Sequence, residues 1–376
     1  MVIDQPAARH IHSNGGKRNS WGFMSFLQHL GLTMPLVQAP MAGVSTPALA
    51  AAVSNQGALG SIGVGATNAA GARAMIEEVR ARTDRAFNVN LFVHGPTQAD
   101  PQREAAWLQW LAPLFAQFGS EPPVSLRTIY KSLAEDADMA TMLLELAPPV
   151  VSFHFGLPAA DFIAALKARG VVLLATATSM AEARAIAAAG IDIVVAQGIE
   201  AGGHRGMFDP AAPDDALGTV ALTRLLVRNA AVPVIAAGGI MDGAGIAAML
   251  NLGAVAAQLG TAFIACPESA ADDSYRASLN GPGACHTTLT SLISGRPARA
   301  LANRFTALEQ TRGGRLPPDY PRAYDAGKAL NAAAKARGEH GFGAQWAGQG
   351  APLSRAMPAA ELVETLRNEW QACRSD

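Results

Sequence analysis

Ile191-Asp192-Ile193-Val194-Val195-Ala196-Gln197 runs directly into Gly198-Ile199-Glu200-Ala201-Gly202-Gly203-His204-Arg205-Gly206. The first seven residues are mostly apolar and rich in β-branched side chains, the pattern of a buried strand. The next nine place a single imidazole among four glycines. Glycine lets backbone approach a ligand closely. A histidine in such a loop has no core to fill, which makes His204 the first candidate for chemistry.

The same strand, loop and helix unit recurs on both sides. Strand patterns fall at Leu36–Met41, Ala58–Gly63, Phe87–Phe92, Val150–Gly156, Val171–Ala177, Asp192–Gln197, Val234–Gly238 and Val255–Gly260. Alanine-rich helical patterns separate them at Thr46–Gln56, Ala69–Arg82, Pro158–Arg169, Met180–Ala189, Gly218–Asn229 and Gly243–Leu252. Thr67 or Asn68 caps the second, and Gly170, Gly190 and Gly253 close three others. Alternation of this kind implies parallel strands, because each return crosses over through a helix. Eight such units in about 230 residues predict a (β/α)8 TIM barrel, an α/β fold; an open doubly wound sheet is the alternative.

The rhythm breaks twice. Between Val93 and Pro149 lie a tryptophan-rich helix (Pro101–Phe118), a Pro122-Pro123 turn and a second helix near Ala134–Leu146. After Thr261 the alternation stops. Residues 1–20 read as a disordered tail. Residues 21–265 read as the barrel, joined by a C-terminal helix within 351–376. Residues 266–350 read as a mainly helical cap that covers the substrate.

Composition narrows the class. Of 376 residues, 50% are hydrophobic and 16% charged, which excludes general disorder. With 29 basic and 30 acidic residues the net charge is −1, so neither nucleic acid nor an anionic membrane is an expected partner. No run approaches the ~18 apolar residues of a membrane span. Cys266, Cys285 and Cys373 show no paired spacing, which points to a reduced, cytoplasmic setting and no metal cluster.

In a barrel, function gathers at the C-terminal ends of strands. Those ends carry Gln38, Met41, Ser61, Asn90, Ser152, His154, Thr176, Gln197, Gly238-Gly239 and the run Gln258-Leu259-Gly260-Thr261. Amides and hydroxyls dominate, a surface suited to a large, neutral, planar ring. Glycine turns after the seventh and eighth strands supply backbone N–H groups for a phosphate. A phosphate with a flat heterocycle points to FMN. Gly60-Ser61-Ile62-Gly63-Val64-Gly65 has the wrong order for a dinucleotide fingerprint. There is no Gly-x-Ser-x-Gly elbow and no zinc-binding His-Glu-x-x-His. Cys266 has no histidine near it in sequence and reads as a buried apolar residue.

Gln38-Ala39-Pro40-Met41-Ala42-Gly43, Ser152-Phe153-His154-Phe155-Gly156-Leu157-Pro158, Gln197 through Gly206, Ala236-Ala237-Gly238-Gly239-Ile240 and the spacing Tyr320-x-x-x-Tyr324-x-x-x-Lys328 together resemble class I nitronate monooxygenases, formerly called 2-nitropropane dioxygenases. The resemblance runs from about residue 20 to the C-terminus. It implies FMN held by Met41, Asn90, Gln197, Gly202, Gly239, Gln258, Leu259, Gly260 and Thr261. It implies His204 as the catalytic histidine, and His154, Tyr320, Tyr324 and Lys328 as residues that meet the substrate. The implied reaction takes an alkyl nitronate such as propionate 3-nitronate and O2 to a carbonyl compound and nitrite, by one-electron transfer to flavin and without NAD(P)H. The implied protein is a monomer or homodimer that detoxifies nitronates. An NAD(P)H-dependent FMN reductase of enoyl thioesters or quinones is the alternative.

Residue physics leaves two roles for His204, a general base toward a neutral nitroalkane or a protonated group that binds the nitro anion. Tyr320, Tyr324 and Lys328 fall at i, i+4, i+8 and share one face if a single helix carries them. Pro321 counts against a helix that starts before it. Alternation along the fourth strand puts Ser152, His154 and Gly156 on one face and Phe153 and Phe155 on the other.

Overall fold

The computed structural model describes residues 23–374, so the expected tail at 1–20 lies outside the described residues. Eight parallel strands form one sheet: β1 (Leu36–Gln38), β2 (Gly60–Gly63), β3 (Phe87–Phe92), β4 (Val150–His154), β5 (Val172–Ala177), β6 (Ile193–Gln197), β8 (Val234–Ala237) and β9 (Ala256–Leu259). The label β7 belongs to the two-residue strand Gly203–His204, which lies outside this sheet. Neighbours run β1-β9-β8-β6-β5-β4-β3-β2, and a parallel bridge from Val37 to Leu59 closes β1 on β2. The predicted (β/α)8 barrel is the fold.

Local sequence explains the elements. Asn68, not Thr67, caps the helix Ala69–Arg82 by accepting from Gly71 N–H. Thr46, Asp100, Ser179 and Asp242 cap four others in the same way. Gly170, Gly190 and Gly253 follow helices at positive φ, where a side chain would be strained. Every residue of β4 except His154 is buried, as parallel strands covered on both faces require.

Inside the barrel, Val37, Leu59, Val150, Val172, Leu174, Ile193, Val195 and Ile235 pack with Phe26 and Leu27 of the first helix. A second core between strands and helices takes Ile62, Val89, Val151, Phe153 and Val194. The helix Ala359–Ala372 buries Leu362, Val363, Leu366 and Trp370 against Leu49, Val53, Ile246 and Met249 of two barrel helices.

The segment after the barrel is more than helical. β10 (Thr287–Thr290) and β11 (Ala298–Leu301) form an antiparallel hairpin, and β11 pairs with β7. The glycine–histidine loop is therefore a strand of a second, three-stranded sheet. Trp107, Leu111 and Phe115 of the Pro101–Gln117 helix pack with Ala326, Leu330 and Ala334 of the Arg322–Lys335 helix. No helix among the described residues is long and apolar enough to cross a membrane.

Candidate active site

A cavity opens across the C-terminal ends of the barrel strands. Its floor is made by Met41, Asn90, Ser152, Gln197, Gly239, Gln258, Gly260 and Thr261. His154, His204, Tyr320, Tyr324 and Trp346 line it above. Twelve of the fourteen residues singled out in the sequence thus meet in one place, and two do not. Leu259 points away into the core with Leu36 and Met249. Lys328 lines a second, adjoining cavity of about 750 Å³, which shares Tyr130, Tyr275, Tyr324 and Trp346 with the first.

His204 is held from several sides. The β7–β11 pairing sets it opposite Ala298. Its carbonyl accepts from Gln197 Nε2 at 2.9 Å and meets His154 Nε2 at 3.2 Å. Its ring lies 5.0 Å from Trp346, 5.4 Å from Tyr320, 5.6 Å from Phe155 and 6.1 Å from Tyr324, centroid to centroid. Ring Nε2 meets Ser294 Oγ at 2.9 Å. Ser294 O–H also donates to Arg296 O at 3.2 Å, and its oxygen accepts Arg296 N–H at 3.3 Å. A hydroxyl has one proton. Once that proton goes to Arg296 O, the ring must donate, so His204 carries Nε2–H and leaves Nδ1 as a lone pair. Nδ1 has no protein partner among the described residues.

Burial lowers the His204 pKa to about 3, with the neighbouring His154 ring and the Arg296 guanidinium adding to the effect. Its partly open edge faces the cavity rather than bulk water, so the charged form is still desolvated. The neutral imidazole is the resting form.

His154 has less freedom. A carbonyl only accepts, so Nε2 donates to His204 O, and Nδ1 accepts from Thr176 Oγ1–H at 3.1 Å. Both ring nitrogens are engaged, and burial first of all lowers its pKa to about 4. Gln197 is similarly occupied, with Oε1 taking Gly206 N–H at 2.8 Å. The carboxamide of Gln258 has no protein partner among the described residues, and Asn90 keeps its oxygen free while its Nδ2 donates to Ser152 O and Ser152 Oγ.

Four features go beyond the residue set singled out in the sequence. Tyr130 and Tyr275 join Tyr320 and Tyr324 on the cavity wall, so all four tyrosines of the chain meet there. Burial raises all four phenols, Tyr130 and Tyr324 to about 12, which keeps them neutral donors. A count of only four in 376 residues was a usable signal. Tyr320 also lies outside the helix that begins at Arg322, so only Tyr324 and Lys328 share its face. Lys328 Nζ stands 5.1 Å from the Tyr130 ring and 5.6 Å from the Tyr324 ring. Phe155 departs from strict alternation. β4 ends at His154, and Phe155 takes φ +77°, which turns its ring from the outer core toward Tyr320 and His204. Positive φ in an aromatic residue is strained and concentrates at functional sites. Finally, Arg205 is buried and fully partnered. It makes a two-point pair with Asp214 at 2.8 and 2.9 Å and donates to the carbonyls of Gln197 and Gly198.

The chain as a whole, and not the site alone, has relatives. The nitronate monooxygenase family model matches residues 24–369. The chain belongs to the nitronate monooxygenase family. A nitronate monooxygenase of Paraburkholderia phytofirmans is 61% identical over 93% of this chain and 95% of its own. One of Pseudomonas aeruginosa is 58% identical over 92% and 98%. The solved structure of nitroalkane oxidase from Streptomyces ansochromogenes superposes with a TM-score of 0.85 at 41% identity, covering 93% of this chain and 99% of that one. In this member of the family the His204 loop is paired into a second, three-stranded sheet.

Proposed function

We propose that the protein oxidises alkyl nitronates of the propionate 3-nitronate kind with FMN and O2, giving a carbonyl compound and nitrite. The observation that carries this reading is the neutral His204 with a free Nδ1 in an aromatic-walled cavity that continues onto the strand-end floor. The residues present fit FMN. The backbone N–H groups of Gly239 and Ile240 donate to no protein acceptor among the described residues, and they precede the helix Gly243–Asn251. That is an anion cradle at a barrel phosphate position. Asn90 and Gln258 offer carboxamides to a ring system, and Met41, Gly202, Gly260 and Thr261 complete the wall. Bound there, FMN would supply the electron acceptor.

The chain itself does the rest. His204 Nδ1 takes a proton from a neutral nitroalkane, or takes one up on binding of a nitronate, because an adjacent anion raises an imidazole pKa. His154 and Gln197 hold the His204 carbonyl and so fix the loop. Neutral phenols at Tyr320 and Tyr324 donate toward nitro oxygens. Lys328 receives the far, carboxylate end of the substrate from the adjoining cavity. Residues 266–350 act as the cover that excludes water. Three free cysteines accord with the cytoplasm as the working compartment, and a monomer or homodimer suffices for the site.

The test is nitrite release from propionate 3-nitronate in air without NADH. Nitrite formed in step with O2 consumption supports the reading. Anaerobic bleaching of the flavin by NADH, with no nitrite from the nitronate, sinks it.

A further inference from the structure

Arg296 lies in the turn between β10 and β11 and is 4% exposed. Its guanidinium carbon sits 4.2 Å from the centroid of the Phe155 ring. Nη2 donates to Met207 O, and Nε has no partner among the described residues. Among the described residues no carboxylate comes within ion-pair distance of it. Arg205, equally buried, has Asp214 and two carbonyls. Burying an unpaired cation is costly.

The surroundings indicate what offsets that cost. Phe155, the ring under Arg296, stands edge-on to His204 at 5.6 Å and 4.6 Å from His154. The backbone of Arg296 brackets Ser294 Oγ, the partner of His204 Nε2. The groups that feel its charge are neutral Tyr320, His94, His154 and His204, and the carboxylates Glu182 and Asp209. Glu182 is occupied by Thr178 and by Phe208 N–H, and Asp209 accepts from Ala211 N–H.

We propose that Arg296 is the fixed positive charge of this site, a positioning residue that draws an anionic substrate into the cavity and holds it beside His204 without touching the reacting atoms. The proposal rests on the reading of the substrate as a nitronate anion. Burial lowers the guanidinium pKa to about 10, so the charge persists at neutral pH. It also explains how a site with two neutral histidines attracts an anion.

The experiment compares full-length FMN-loaded wild type with Arg296→Met and Arg296→Lys. Sodium nitrate, a planar unreactive anion, is the calorimetric probe. KM is measured for propionate 3-nitronate and for neutral nitroethane. Arg296→Met is expected to weaken nitrate and raise the nitronate KM by about tenfold or more. It should change kcat and the nitroethane KM by less than about threefold. Arg296→Lys should bind nitrate at neutral pH and lose it as pH rises through the lysine pKa, which burial depresses, while wild type stays flat over that range. If Arg296→Met does not fold, the lysine pH profile decides.

A folded Arg296→Met with unchanged nitrate affinity, equal losses for anionic and neutral ligands, or a flat lysine profile overturns the proposal. So does a wild type that binds no nitrate. Absence of nitrite release by wild type overturns the proposed function instead, and leaves the nitrate measurements to test Arg296.

Discussion

Ser294 Oγ receives two protons, from the backbone N–H of Arg296 and from His204 Nε2, and gives its own to Arg296 O. The hydroxyl thereby sets which imidazole nitrogen faces the substrate. Ser294→Ala leaves two buried donors unmet and is expected to cost about 1–3 kcal/mol in urea unfolding. Because the tautomer is released, nitrite formation from neutral nitroalkanes should fall as well, and a variant with wild-type stability and rates contradicts the assignment. His204→Asn should lower kcat/KM for neutral nitroalkanes by about 10²–10⁴ with FMN content unchanged, measured by nitrite assay and flavin absorbance. Full nitrite release from that variant would remove His204 from the chemistry. The place of His204 on the cavity wall was legible from its glycine setting at a strand end. Its partner was not, because Ser294 lies in a turn 90 residues away.

At the scale of elements, the decisive one is the loop from Gln197 to Gly206. Two of its glycines are there for close approach: a Cβ on Gly202 would come within 2.5 Å of Gly348 N, and one on Gly206 within 2.5 Å of Thr176 Cγ2. Arg205 clamps the loop's first two carbonyls while Asp214 neutralises it. Asp214→Asn keeps the shape but removes the charge. We expect it to lower stability by about 1–3 kcal/mol, less than for a fully buried pair because Asp214 is partly exposed. It should also reduce FMN retention, and an unchanged urea midpoint would show the clamp to be idle. The Arg205–Asp214 pair holds Asp214 below the usual carboxylate range, so its stabilisation is present at neutral pH and fades as pH falls through the lowered value. Strands and helices were legible because their periods and caps are local. β7 was not, since two residues carry no period and its partner strand is far along the chain.

Across the whole molecule, three desolvated histidines, His94 buried and His154 and His204 half-buried against the cavity, are kept neutral. Burial is the first cause for each of His94, His154 and His204, and the last two fall to about 4 and about 3. Their folded values lie below the unfolded value of 6.5, so the unfolded chain binds more protons in between. The stabilisation is complete above that value and is lost as pH falls below it. Unfolding free energy should drop between about pH 6.5 and 5 by up to ~1.4 kcal/mol per pH unit for each such histidine. His204→Asn should flatten the slope by one histidine's share. Urea titrations at several pH values check this, and a pH-independent midpoint over that range would contradict it.

The sequence by itself determined a parallel α/β sheet, because eight β-branched runs and their intervening helices are short-range patterns, and the count of eight favoured the barrel over an open sheet; the bridge from Val37 to Leu59 shows the closure. It also determined where to look, since barrel chemistry gathers at strand ends, and most of the residues singled out do line one cavity. Only the tertiary structure decided how those residues divide the work. His154 and Gln197 have their polar atoms taken up in holding a loop, Lys328 belongs to a neighbouring cavity, and Phe155 turns inward at a strained φ. Arg296 and Ser294 reach His204 from a hairpin outside the barrel. Hydrogen-bond saturation, burial and charge at His204 arise from groups far apart in sequence, and such contacts leave no local period to read.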